Sequence, residues 1–434
     1  MRPRQARPRL LQAMIDAFSL PDLRRRILIT FGILIIFRFI AHVPLPGVNL
    51  EALQELFGKN ALLGMLDMFS GGAMRQFSVV AMGVYPYITA SIVMTLLVPI
   101  IPQLRAISQE GEEGRNRINR ITHWLTVPLA GLSGYGQLVY LQHEGVVGST
   151  AALPMLTMVV SLVAGTMFLV WLGERITDNG IGNGISIIIF AGIVAGYWQT
   201  AGQIFLAGEQ QWIGTAVYIL IALATVAAIV VFTEAHRRIP VQYSRSVFRG
   251  GRMYRQSGQT HIPLRVNTAG MIPLIFAMSL VLFPGVVASY FANPSTAEAN
   301  LANHIVNLFN TSGLFYWALY FLLTVGFAFF YTMVIFEQQD LPGTLQRQGG
   351  FIPGIRPGPH TKEYLDGVIK RITWAGALFL ALVAIIPFLA KEITNVQMIQ
   401  LSSMGLLIVV GVVLDTMKQM EAQLVMRRYE GFIN

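Results

Sequence analysis

The chain has 434 residues, 54% of them hydrophobic and 12% charged, with a mean hydropathy of +0.57; roughly 45 to 50% apolar and 25% charged is the norm for soluble domains, so an ordinary soluble protein is excluded and a polytopic membrane protein is indicated. The net charge is +9, but the basic residues fall between apolar runs, where membrane orientation accounts for most of them and names no nucleic-acid partner. With no cysteine, disulfides, thiolate metal sites and cysteine nucleophiles are ruled out.

The basic tail over 1–26 resembles a signal-peptide n-region, but the apolar run 27–43 leads into Pro44-Leu45-Pro46 without a small-residue cleavage site, which predicts an uncleaved first span. Arg38 is the one charge well inside it, about 18 Å beyond Arg26 on a helix, and snorkelling to the outer interface is its default explanation. The next apolar stretch is too short to cross. Asn60 can cap a helix and Gly71-Gly72 can end one, and ten residues rise only about 15 Å against a hydrocarbon core of roughly 30 Å. It reads as a re-entrant piece, which implies a protein-lined or water-filled cavity, or alternatively as a surface amphipathic helix. A span over 77–101 follows, weakened internally by Gly83 and Pro86.

Eight further runs, 121–141, 153–173, 184–206, 212–233, 268–291, 313–336, 372–390 and 398–417, bring the expected crossings to ten and put both termini on one side. Of the 31 Lys and Arg, only Lys59, Arg75 and Lys391 fall on the opposite side, with Arg38 within a span. Both ends, including the tail 418–434, are therefore predicted to be cytoplasmic. Counting the short piece as a crossing would send the later basic segments outside, so the charges independently favour re-entry. Five spans (27–206) precede a hinge loop at 207–211 and five (212–417) follow it. Because five is odd, any relation between the halves is an inverted repeat, with a pathway at their interface; no clear sequence self-similarity accompanies it.

Two cytoplasmic loops exceed connector length. Residues 234–267 hold seven Arg and predict two short strands turning at Gly250-Gly251, serving either as a lipid-facing anchor or as a dock for something acidic. Residues 338–371 pack Gly and Pro around Arg356 into a shaped contact loop, with a helix start near Thr361 and Glu363.

The chemistry of enzymes is missing. There is no phosphate loop, no HExxH and no GxSxG, and GIGNGIS (180–186) lacks nucleotide-loop spacing. No catalytic residue, metal site or cofactor is expected. Intramembrane carboxylates, which ion-coupled transporters need, are almost absent from the spans, so an aliphatic cavity suits an object recognised only loosely.

GVYPYITASIVM (83–94), ERITDNGIGNGISIIIFAGI (174–193), NTAGMIPLIFA (267–277) and GGFIPGIRPGPHTKEYL (349–365) closely resemble bacterial SecY, the channel subunits of the Sec protein translocon, and the resemblance runs from about Arg24 to Glu430. It implies an all-α polytopic membrane protein with ten transmembrane helices in two pseudo-symmetric inverted five-helix halves plus a re-entrant plug helix. By motif position a pore ring is expected from Val84, Ile88, Ile185, Ile189, Ile275 and Ile408. The plug is expected over 61–74, with Leu62, Leu63, Met65, Leu66, Met68, Phe69, Gly71 and Gly72. A lateral gate between spans two and seven would involve Ser91, Thr95, Asn267 and Ile272, with Thr95 departing from the family's usual Gln. Arg249, Arg252, Arg255 and Arg356 would dock the SecA ATPase or the ribosome, with SecE and SecG as further subunits. The resemblance places the chain in the bacterial cytoplasmic membrane, passing signal-sequence-bearing polypeptides across it or into lipid. A secondary transporter, which predicts a polar midplane site, and a membrane insertase or scaffold without a through-pore are the competing readings.

Overall fold

In a bilayer no water satisfies exposed backbone, so apolar runs close their hydrogen bonds as helices. The computed structural model describes residues 20–59, 63, 64, 67, 70–148, 151–206, 212–249, 252–270, 272–289, 291, 301–310, 313–394, 405, 408–421 and 423, and it is mostly helical. Helix α1 (Pro21–Ile40) starts earlier than its apolar run, because Pro21 suits the first turn and Asp22 is acidic there. Helix α2 (Leu50–Lys59) is capped by Asn49, whose side chain accepts from the Glu51 and Ala52 amides at 3.1 and 3.3 Å.

The second span departs from its predicted extent. Residues 77–84 are turns, and α3 (Tyr85–Ile100) begins only after Phe77 and Gly83 adopt φ of 42° and 57°, with Pro86 in its first turn. At its far end Ile101 is extended, as the residue before Pro102 must be, and α4 (Pro102–Ser108) turns away by 101°.

Helices α5 (Glu112–His143), α6 (Ala152–Asn179), α7 (Gly184–Leu206) and α8 (Trp212–Glu234) complete the first part of the bundle. The motif GIGNGIS is the turn between α6 and α7. The Gly184 amide donates to the Thr177 hydroxyl at 2.9 Å, the Ile181 amide to Thr30 Oγ1 at 3.3 Å, and Asn183 caps α7 through the Ser186 amide at 3.1 Å. These glycines join two helices.

Beyond α8 the backbone forms β1 (His236–Arg249) and β2 (Arg252–Arg265), paired antiparallel with Arg249 opposite Arg252. The turn therefore falls at 250–251 as predicted, but the strands, at 14 residues each, are longer than expected. Then come α9 (Ile272–Ser289), α10 (Leu301–Leu308), α11 (Leu314–Gln339), α12 (Leu341–Arg347), β3 (Gly350–Phe351), α13 (Pro359–Thr394) and α14 (408–421). Strand β3 pairs with β1 at Gln242 and Tyr243. The two long loops thus form one three-stranded sheet, β2-β1-β3, over its own core of Ile239, Val241, Leu345, Ile352 and Leu365.

Among the described residues, the runs Ala152–Asn179, Leu314–Arg347 and Pro359–Ile386 are long and apolar enough to cross a membrane, and the bent pair α3 and α4 together makes a fourth. Helices α5 and α6 pack side by side, as do α11 and α13, and α3 lies against α9.

Candidate functional site

Val84 caps α3 and Ile88 lies one turn on; Ile185 and Ile189 share a face of α7 by the same spacing. With Ile275 from α9 and Ile408 from α14, they meet in one apolar cluster in which Val84, Ile88, Ile189, Ile275 and Ile408 are buried and Ile185 packs against them. The same cluster takes in the polar-tipped aromatics Tyr85, Tyr316, Trp317 and Tyr320.

The segment before it is polar where it turns. Asp67, only 6% exposed, accepts from Arg75 Nε at 2.9 Å and from the Arg75 amide at 3.2 Å, while the Ser70 hydroxyl donates to the Asp67 carbonyl and receives the Met74 amide, both at 3.0 Å. Burial pushes the Asp67 carboxyl above the usual carboxylate range, and the Arg75 charge opposes that shift. Leu63 is buried in a second core with Leu45, Met74 and Phe77. Leu62, Met65, Leu66, Met68 and Phe69 lie outside the described residues.

Arg38 does not snorkel. Its Nη1 donates to the Gly71 carbonyl at 2.8 Å, and the side chain is half-buried. Arg38 lies in the last turn of α1, and a charged donor on a carbonyl contributes roughly 1.5–3 kcal/mol there. The sequence flagged this charge but not its partner, 33 residues away.

Of the expected gate residues, Asn267 is buried, Ile272 packs on the central cluster, and Ser91 and Thr95 are half-buried on α3. The Thr95 hydroxyl donates to the Ser91 carbonyl at 2.7 Å, within its own helix. Direct contact between α3 and α9 comes with a long hydrogen bond, from Tyr85 Oη to the Ser279 carbonyl at 3.4 Å. Tyr85, Tyr316 and Tyr320 are all buried, and Trp317, whose place near a span end predicts an interface anchor, is instead buried and stands edge-on to Tyr316 and Tyr320. Arg105 of α4 pairs with Glu337 of α11. Both side chains are more than half exposed, so the pair is worth less than about 1 kcal/mol.

Arg356 is exposed on the loop after β3, its carbonyl accepting from the Thr361 hydroxyl at 3.0 Å. Arg249 and Arg252 face each other across the ribbon tip, and Arg255 pairs in register with Ser246. Among the described residues no group of three or more His, Asp or Glu is gathered to hold a metal ion.

A helical, multi-pass membrane protein with a large apolar core is the class these features define. The family model for SecY matches residues 78–417. The chain is 43% identical over 436 residues to the protein translocase subunit SecY of Halalkalibacterium halodurans, covering 98% of this chain and all of that one, and 41% identical over 435 residues to that of Thermotoga maritima, covering 97% of each. The chain belongs to the SecY family. Its fold also matches a solved SecY channel, described for a plug domain that stabilises the closed state (TM-score 0.64, 16% identity, 95% of this chain and 97% of that one). A canine Sec61 in a ribosome-channel complex matches with TM-score 0.60, 16% identity and the same coverage.

Proposed function

We propose that the chain is a protein-conducting channel of the bacterial cytoplasmic membrane, with both termini cytoplasmic. Unfolded secretory polypeptides pass through it, and signal sequences and transmembrane helices leave it sideways into lipid. It is a channel subunit and not an enzyme. The observation that supports this reading is that Val84, Ile88, Ile185, Ile189, Ile275 and Ile408, from four helices, all belong to one large apolar cluster. Aliphatic walls dewet when empty, which stops ions, and they yield to any passing side chain without hydrogen bonds that would trap it.

The path lies between the inverted halves 27–206 and 212–417, hinged at 207–211, and the segment 61–74 acts as its stopper. Lateral release takes place between α3 and α9, beside Ser91, Thr95, Asn267 and Ile272. A run of about 20 apolar residues prefers hydrocarbon by several kcal/mol, which drives its exit there. SecE and SecG complete the complex.

The test uses the cysteine-free background. Single cysteines at Val84, Ile185, Ile275 and Ile408 are expected to crosslink to a translocation-arrested secretory chain. A complete absence of crosslinks at all four positions would remove the pore assignment.

What supports the docking reading is that the ribbon whose sequence carries Arg249, Arg252 and Arg255 joins, through β3, the loop that carries the exposed Arg356. SecA or the ribosome supplies the complementary acidic surface. Reversing one contact charge places like charges together at a cost of several kcal/mol. Arg356→Glu is therefore expected to slow SecA- or ribosome-coupled transport at least tenfold with membrane abundance unchanged. Transport at the parent rate would show that Arg356 docks nothing.

A further inference from the structure

The charge inside the first span has no part in the channel chemistry, yet two consecutive residues there bear on one glycine. Arg38 donates to the Gly71 carbonyl at 2.8 Å, and a Cβ added to Gly71 would lie 2.7 Å from the Phe37 ring. The same added Cβ would lie 2.9 Å from the Cα of Gly192 of α7. A Cβ on Gly192 would lie 2.2 Å from the Gly71 Cα, so the two backbones touch where no side chain fits between them. Gly71 itself is left-handed, with φ of 71°, a conformation that excludes most other residues. Asp67, at the buried turn of the same segment, adds electrostatic attraction for the Arg38 guanidinium.

We infer that Arg38 is a positioning residue that seats the 61–74 segment at rest, clamping the Gly71 backbone against Gly192 through one charge-assisted hydrogen bond. This rests on the reading of 61–74 as the stopper. The seat adds one strong donor and a glycine contact to the burial of Leu63 and Met74, and it fixes where the segment rests. A guanidinium in a span is also a donor with few other acceptors in reach, which favours return of the segment once the path empties.

Ala73, two residues past Gly71 and fully buried, reports on the seat. In the reconstituted complex, Ala73→Cys is expected to resist a membrane-impermeant maleimide applied from the outer face. Combined with Arg38→Met or Gly192→Ala it is expected to label at least tenfold faster, and with Arg38→Lys, which keeps a cationic donor, to be protected again. Ala381→Cys, buried in α13, is expected to stay unlabelled throughout.

Protection retained with both Arg38→Met and Gly192→Ala overturns the inference. So does equal labelling with Arg38→Met and Arg38→Lys, and so does labelling of Ala381→Cys, which would make Arg38 a support of the whole fold. Ion leak after deletion of residues 61–70 tests the stopper reading separately. If the deletion leaks while the Arg38 and Gly192 variants stay protected, the seat falls and the stopper stands. If the deletion stays tight while those variants label, the seat stands and the stopper falls.

Discussion

Gly184→Ala is expected to prevent accumulation of the protein in the membrane, reducing it below about a tenth of the parent level. A Cβ at this position would lie 1.8 Å from the Gly173 carbonyl oxygen and 2.8 Å from the Ile176 Cβ. The first obstacle is backbone, so no rotamer change relieves it; α6 and α7 must separate, and the Thr177 and Asn183 bonds of the turn are lost with their contact. Overpacking ordinarily costs about 1–3 kcal/mol and more where nothing can yield, out of a total stability of about 5–15 kcal/mol. Ile185, the next residue, would be displaced from the central cluster at the same time. The contrasting substitution is Gly367→Ala in α13, where an added Cβ meets nothing within 4 Å. There the gain in helix preference, roughly 0.5–1 kcal/mol, is expected to leave abundance unchanged or raised. Quantitative immunoblotting of membranes checks both, and a Gly184→Ala protein at parent abundance would refute the tight turn.

What could be read before any coordinates were the features set by nearest neighbours in the chain. Hydropathy and charge separated helix from loop, and two adjacent glycines set the ribbon register that puts Arg249 opposite Arg252. Motif resemblance carried the six aliphatic residues of the central cluster, which pattern alone would have left as ordinary lipid-facing or core positions. Two of the departures come from contacts distant in sequence. Strand β3 is two residues long and carries no strand signal of its own; it exists because Tyr243 and Gln242 offer it an edge more than 100 residues upstream. The late start of α3 depends on turns at 77–84 tied back to the first loop, where the Leu45 amide donates to the Phe77 carbonyl at 3.0 Å and the Val79 amide to the Val43 carbonyl at 3.1 Å. Arg38 was visible as an anomaly, and snorkelling is the correct default for a charge near a span end. Its partner is a backbone carbonyl, which no residue pattern marks.

Deleting residues 61–70 is expected to raise the resting ion conductance of the reconstituted channel at least tenfold. A ring of aliphatic side chains blocks ions by excluding water, and that barrier is thin, because Val84 to Ile88 and Ile185 to Ile189 each span a single helical turn of about 5.4 Å. Transient wetting of so short a constriction admits ions unless something occupies the space beyond it. On the proposed reading the 61–74 segment adds that second barrier, held by Leu63 buried in the neighbouring core and with Asp67 and Ser70 satisfied internally, so its removal is expected to leave the ring to hold alone. A tenfold rise corresponds to only about 1.4 kcal/mol of lost barrier, well below the cost of moving an ion through a dry pore. The deletion also removes Asp67, so Arg75 loses its partner and Arg38 the attraction of that carboxylate, and the charge that remains near the path is positive. The leak is therefore expected to favour anions over cations. Planar-bilayer recordings with asymmetric salt read both quantities. A resting conductance equal to the parent would show that the segment seals nothing, and a cation-selective leak would show that Arg38 and Arg75 do not face the opened path.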